Sequence, residues 1–246
     1  MKTRLLLAFS LLLMFFAASC NFTENITIAE DGSGSISMDM DASNLMALAG
    51  DELAKEGDKR IDSTFSFKDV FDAKKDSIAQ LPKEEQDRLK KLEKFSMKML
   101  MDPQTQEFKI SLLNDFKKID DLGDMMDAFE KASPMNNKKG AEGMPDFGFD
   151  KYKTKTAYFF NGKKFKKTVS RKDELPETEN DSIEMFKAML SGSTYTVNYK
   201  FPKRIKSVSN KTATLSADKK TVTVVYPFSD YLDKPKDMSI EVEFEK

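Results

Sequence analysis

The sequence predicts an α+β protein of antiparallel β-hairpins and sheet with several short helices, arranged as one or two subdomains. Three observations lead there. Short segments that alternate apolar and polar residues recur along most of the chain, separated by turn residues. A few stretches instead carry apolar residues at helical spacing. The two kinds follow one another without the strand–helix–strand regularity of a parallel α/β fold. The chain has 246 residues, long enough to bury a sizeable core, and 33% of them are charged against 39% in the apolar set.

The elements follow in order. Glu24 to Ala29, with Ile26 and Ile28 on one face, and Ser35 to Asp41, with Ile36, Met38 and Met40, flank Glu30-Asp31-Gly32-Ser33-Gly34. Glycines there supply a tight turn, so the pair reads as a hairpin. Asp41 or Ser43 can cap a helix carrying Leu45, Met46, Leu48, Ala49 and Leu53 to near Gly57. Residues 63–71, with Phe65, Phe67, Val70 and Phe71, read as a short strand running into a helical turn. Pro82 opens a charged helix over 83–94, with Leu89 and Leu92 as a thin apolar stripe. Residues 95–101 alternate, turn through 102–106 and return through Phe108, Ile110 and Leu112 as a second hairpin. A third helix is expected over 117–131 on Ile119, Leu122, Met125, Met126 and Phe129.

Residues 133–152 change character, with Pro134, Pro145, Asn136, Asn137 and several glycines, and read as a loop or linker. Asn161-Gly162 between 156–160 and 163–170 is a strong hairpin signal. A short helix over 181–190 follows, and then strands over 194–201, 205–209, 213–216, 221–226 and 239–244, interrupted by 228–235. The organisation is therefore a leader over 1–19, an N-terminal region over 20–132, the 133–152 seam and a β-rich region over 153–246.

Composition narrows the chemistry. Without histidine there is no Ser-His or Cys-His machinery and no imidazole ligand, and one cysteine excludes an internal disulfide or a thiolate zinc site. Forty Lys+Arg against 41 Asp+Glu argues against a nucleic-acid partner. No catalytic residue, metal site or cofactor is assigned. Met97, Met99 and Met101 share a strand face, with Met38 and Met40 on another. Thioethers suit Cu(I), yet this spacing is also that of a buried strand packed with methionine, which is the expectation here. Asp120, Asp121, Asp124 and Asp127, and Glu84, Glu85 and Asp87, fall on polar helix faces among lysines and read as solvated charges. The Asp31 turn lacks the later acidic positions of a calcium loop. Lys163, Lys164, Lys166 and Lys167 around Phe165 form the one basic, aromatic patch, a possible contact with anionic lipid at a membrane surface. Otherwise it is the solvent face of a hairpin strand. Asp76-Ser77-Ile78 and Asp181-Ser182-Ile183 fit a bacterial O-glycosylation pattern.

The N-terminus carries the most specific signal. Lys2 and Arg4 precede the apolar run Leu5 to Ala18, which is shorter than a bilayer span of about 20 residues and ends in Ala17-Ala18-Ser19 before Cys20. This resembles the lipobox of bacterial lipoproteins, with Ala17 in place of the usual Leu, Val or Ile. The resemblance implies cleavage before Cys20 and acylation of Cys20, so that lipid tethers the protein to a membrane. Two or more acyl chains anchor stably where one does not. Asn21 follows the cysteine, without the Asp of inner-membrane retention and with no acidic cluster behind it. The expected location is the outer membrane, facing the periplasm.

Cys20 with its following strand and Asp-Gly turn, Tyr199-Lys200-Phe201-Pro202 before Ile205, and the strand–turn–strand around Asp218-Lys219-Lys220-Thr221-Val222 also resemble LppM-type lipoprotein domains. That implies a lipidated start leading into an α+β body of envelope-associated function, and it brings no catalytic residues. The expected role is binding or structural, with an envelope protein as a possible partner. The alternative is a periplasmic carrier of a lipid or other apolar molecule.

Overall fold

Twelve strands and a few short helices account for the elements among the described residues, which in this computed structural model are 20–44, 46, 60–123, 154–171, 187–188 and 190–246. The alternating segments form β1 (Asn21–Ile28), β2 (Gly34–Asp41), β3 (Ile61–Ser66), β4 (Phe95–Asp102), β5 (Glu107–Phe116), β6 (Thr154–Phe160) and β7 (Lys164–Arg171). The C-terminal part adds β8 (Thr194–Lys200), β9 (Ile205–Val208), β10 (Thr214–Leu215), β11 (Thr221–Pro227) and β12 (Ile240–Phe244).

The helices are minor. They comprise α1 (Phe67–Ala73), α2 (Lys75–Ile78), α3 (Lys83–Leu92), α4 (Phe228–Asp233), and 3₁₀ turns at Ile119–Asp121 and Pro235–Met238. The α+β class is therefore corrected: the protein is mostly β. Its described helices span ten residues at most, too few to stand without tertiary support. They contribute single side chains such as Leu92 to a core that strands otherwise fill.

Two sheets make that core. One has eight strands in the order β10-β11-β8-β1-β2-β5-β4-β3, and the other has four, β6-β7-β12-β9. All pairings are antiparallel except β1 with β8, where Asn21 lies beside Thr194 and Thr27 beside Lys200. That parallel pair brings the regions on either side of the 133–152 seam into one sheet. The seam, the 172–180 loop, and most of the helices expected over 41–57, 117–131 and 181–190 lie outside the described residues.

Local chemistry explains the hairpins. At the β1–β2 turn, Gly32 takes φ +83°, and Asp31 Oδ1 accepts from the Ser33 amide at 3.0 Å and hydroxyl at 2.6 Å. At the β6–β7 turn, Gly162 takes φ +74°, and Asn161 Oδ1 accepts from the Lys163 and Lys164 amides. Both are turns in which only a residue without Cβ is at ease. Ser66 caps α1 by accepting from the Asp69 amide at 3.3 Å. Acidic residues open α3 and Lys90 and Lys91 close it, as the helix dipole favours.

Between the sheets the packing is aromatic. Phe165 meets Tyr199 and Phe201, each with ring centroids 5.2 Å apart, and Phe201 meets Phe244 at 4.8 Å. Met97, Met99 and Met101 on β4 stand beside Leu112, Ile110 and Phe108 of β5, in half-buried hydrocarbon surroundings.

Candidate functional site

Inward parity along β1 is set by Ile26 and Ile28, and the residue two positions before them on that face is Glu24. On β7 the inward residues are Phe165, Lys167 and Val169. The two strands belong to different sheets, and their inward charges meet: Lys167 Nζ donates to Glu24 Oε2 at 2.5 Å. Glu24 is 1% exposed and Lys167 3%.

Three phenols complete the arrangement. Tyr195 donates to Glu24 Oε2 at 2.6 Å, while Tyr158 and Tyr199 each donate to Oε1 at 2.9 Å. Register explains their positions. Phe22 and Ile26, the same-face neighbours of Glu24, lie beside Tyr195 and Tyr199 on β8, and Tyr158 on β6 stands directly opposite Lys167. The ammonium also sits 5.5–5.9 Å from the centroids of all three rings, within cation–π range. Tyr231 of α4 stacks on Tyr195 at 5.4 Å.

Electrostatics follow from this geometry. Burial pushes the Glu24 carboxyl up, but the Lys167 charge and the hydrogen bonds from Lys167, Tyr195 and Tyr199 outweigh it, and the group ends below its ordinary value. Burial, reinforced by the Glu24 charge, holds Tyr158, Tyr195 and Tyr199 well above the ordinary phenol value. The result is a fixed carboxylate with both oxygens engaged by four donors. A buried pair of charges is tolerated only when its remaining lone pairs are satisfied in this way. Such a cluster is a lock between sheets, with no oxygen left to take a proton from a substrate.

Cys20 lies next to this core. The register that sets Asn21 beside Thr194 brings Cys20 to Ser193, whose Oγ accepts from the Cys20 amide at 2.8 Å. Cys20 is 3% exposed and belongs to the apolar core cluster. Burial, with a smaller contribution from the Asp41 charge, pushes the thiol up to about 11.

The basic patch divides. Lys167 points inward to Glu24 and is lost to any surface. Lys164 pairs with Glu241 at 2.6 Å and lies near Glu243 at 3.8 Å, while Lys163 and Lys166 are exposed. Strand alternation separates them, since Phe165 and Lys167 face the core and Lys164 and Lys166 do not. Glu84, Asp87, Asp120 and Asp121 are exposed and Glu85 is half-buried, while Asp124 and Asp127 lie outside the described residues. Among the described residues no group of three or more Cys, Asp or Glu is placed to hold a metal ion, and no helix is long and apolar enough to cross a membrane.

No protein family and no curated sequence matches the chain. Among solved structures, the NMR structure of the folded domain of LppM from Mycobacterium tuberculosis aligns at 9% identity with a TM-score of 0.41, over 94% of this chain and 92% of that one. At that level it carries no residue role across.

Proposed function

We propose that the protein is a lipid-anchored envelope protein, held in the outer membrane and facing the periplasm, with a binding or structural role and no catalysis. The observation that carries this reading is the place of Cys20. The one cysteine follows the apolar leader and enters the central strand of the larger sheet with no spacer, so a lipid there fixes the whole β body against the bilayer. The buried ionic cluster supports the non-catalytic part, because its donors and acceptors are matched among themselves.

Acylation and folding are linked in this reading. Cys20 is 3% exposed and out of reach of a modifying enzyme once folded, so the sulfur is alkylated before β1 docks. N-acylation of Cys20 leaves one amide N–H, which still donates to Ser193.

Intact mass of membrane-purified protein, wild type against Cys20→Ala, tests the proposal. Loss of residues 1–19 with added acyl mass on the wild type alone, and release of the variant from the membrane fraction, is the expected result. An unacylated, soluble wild type overturns it.

A further inference from the structure

The strands place two features at opposite ends of the body. Cys20 stands before the first residue of β1, and the strand's eight residues carry the chain roughly 25 Å away from it. At the far end the β1–β2 turn meets the β6–β7 hairpin, where a Cβ on Gly32 would lie 3.7 Å from the Phe160 ring. The segment after β8, which runs parallel to β1, reaches the same end. Phe160, Phe201 and Phe244 pack together there.

A depression of about 750 Å³ opens at that end over Phe244, with Lys163, Lys203, Lys206 and Lys246 around it. Its side-chain carboxylates, Glu243 and Glu245, are engaged by other groups. Glu243 accepts from the Ser207 hydroxyl at 3.3 Å and lies 3.8 Å from Lys164, while Arg204 meets Glu245 at 3.3 Å. No carboxylate lies within ion-pair distance of Lys163, Lys203 or Lys206 among the described residues, and all three are exposed. Three lysines with no ion-pair partner among the described residues line one concave surface, and their charge draws an anion. A lysine contributes as a compact point charge with three donors, suited to the several oxygens of a phosphate.

We infer that this depression binds the phosphate group of an anionic ligand, presented from the side remote from Cys20. The remote direction rests on the lipid anchor proposed above, whereas phosphate binding at the three lysines does not. An anchored protein of this shape reaches away from its own membrane toward a phosphate-bearing surface or a soluble phosphate.

The test uses full-length protein purified from membranes and reconstituted into phosphatidylcholine vesicles. Phosphatidylglycerol vesicles are then added and clustering is read by light scattering. In parallel, thermal stability of detergent-solubilised protein is followed against glycerol 3-phosphate. Clustering that glycerol 3-phosphate inhibits identifies a headgroup as the source. Stabilisation by glycerol 3-phosphate without clustering identifies a soluble phosphate.

The triple variant Lys163→Glu, Lys203→Glu, Lys206→Glu weakens either response by more than about a hundredfold, since each lost lysine costs about fivefold and each added carboxylate repels the anion further. Lys98→Glu, an exposed lysine on the larger sheet, leaves both unchanged. The site is overturned by no response in either arm, or by an equal response from the triple variant. Failure of the protein to float with phosphatidylcholine vesicles removes the anchor instead, and the solution arm still decides the depression.

Discussion

Lys167 Nζ lies 2.5 Å from Glu24 Oε2, joining the middle of the smaller sheet to the middle of the larger one across 143 positions of sequence. Around that contact both carboxylate oxygens and all three phenols are hydrogen-bonded, the ammonium faces three aromatic rings, and the aromatic core closes over it. The pair fixes which faces of the sheets meet. An apolar interface alone tolerates sliding, whereas a one-residue slip of β1 or β7 turns one charge to water and strands the other.

Lys167→Met is therefore expected to lower stability by about 3–5 kcal/mol, because it leaves the Glu24 carboxylate buried with phenols alone. The double variant Glu24→Gln, Lys167→Met recovers a large part of that loss, since neither residue then carries charge. Urea denaturation of the wild type, both single variants and the double gives the coupling. A single-variant loss within about 0.5 kcal/mol, the size of an ordinary surface change, contradicts the lock.

Hairpins were the most legible part of the sequence because their information is local. Asn161-Gly162 and Asp31-Gly32 specify their turns by backbone conformation, and the flanking alternation fixes the faces. Parallel pairing of β1 with β8 has no such local sign. The ionic cluster did leave one: Glu24 shares parity with Ile26 and Ile28, and Lys167 with Phe165 and Val169. Opposite charges at inward positions of two strands mark a buried pair, yet five neighbouring basic and aromatic residues read more readily as a surface patch. The small share of helix is not legible, because helical spacing says nothing of how little core a one- or two-turn helix covers.

Acid should weaken the protein through Glu24. Its carboxyl is held below the ordinary 4.5 in the folded state, so its contribution is complete above that value and is lost as pH falls through the lower folded value. The melting temperature of the wild type is expected to drop below about pH 4.5 more steeply than that of Glu24→Gln. Parallel curves for the two proteins would assign the acid limb to other carboxylates.

Alkali acts through the phenols with the opposite sign. Tyr158, Tyr195 and Tyr199 hold their protons well above the ordinary 10.0 when folded. Their contribution is present below that value and disappears as pH rises through the folded ones. Ultraviolet titration should show these tyrosines ionising together with unfolding rather than ahead of it. Ionisation of all tyrosines near 10 with the fold intact, seen by far-ultraviolet circular dichroism, would remove the cluster from the account.

Ser193 separates anchoring from packing. Ser193→Ala leaves the buried Cys20 N–H without its acceptor, at about 1–2 kcal/mol. In the lipid-anchor proposal, modification of Cys20 reads the leader and the cysteine rather than the folded contact between Cys20 and Ser193. Intact mass of the variant should therefore match the wild type apart from the lost oxygen, while its melting temperature falls. Loss of acyl mass in this variant would mean that the folded contact between Cys20 and Ser193 is needed for modification.

Two glycines give contrasting outcomes on substitution with alanine. Gly34 opens β2 opposite Ile28, where a Cβ would fall 1.9 Å from the Thr27 carbonyl oxygen and 2.8 Å from the Phe116 ring. The Thr27 carbonyl cannot withdraw without breaking the β1–β2 pairing, so Gly34→Ala should lower stability by about 3 kcal/mol or more. At Gly162 nothing lies within 4 Å of a Cβ, and only φ +74° resists the change. Gly162→Ala is therefore expected to lower stability by about 1 kcal/mol. Denaturant midpoints with unchanged slopes measure both. A smaller effect at Gly34 than at Gly162 would mean that β1 and β2 do not approach as closely as this register requires.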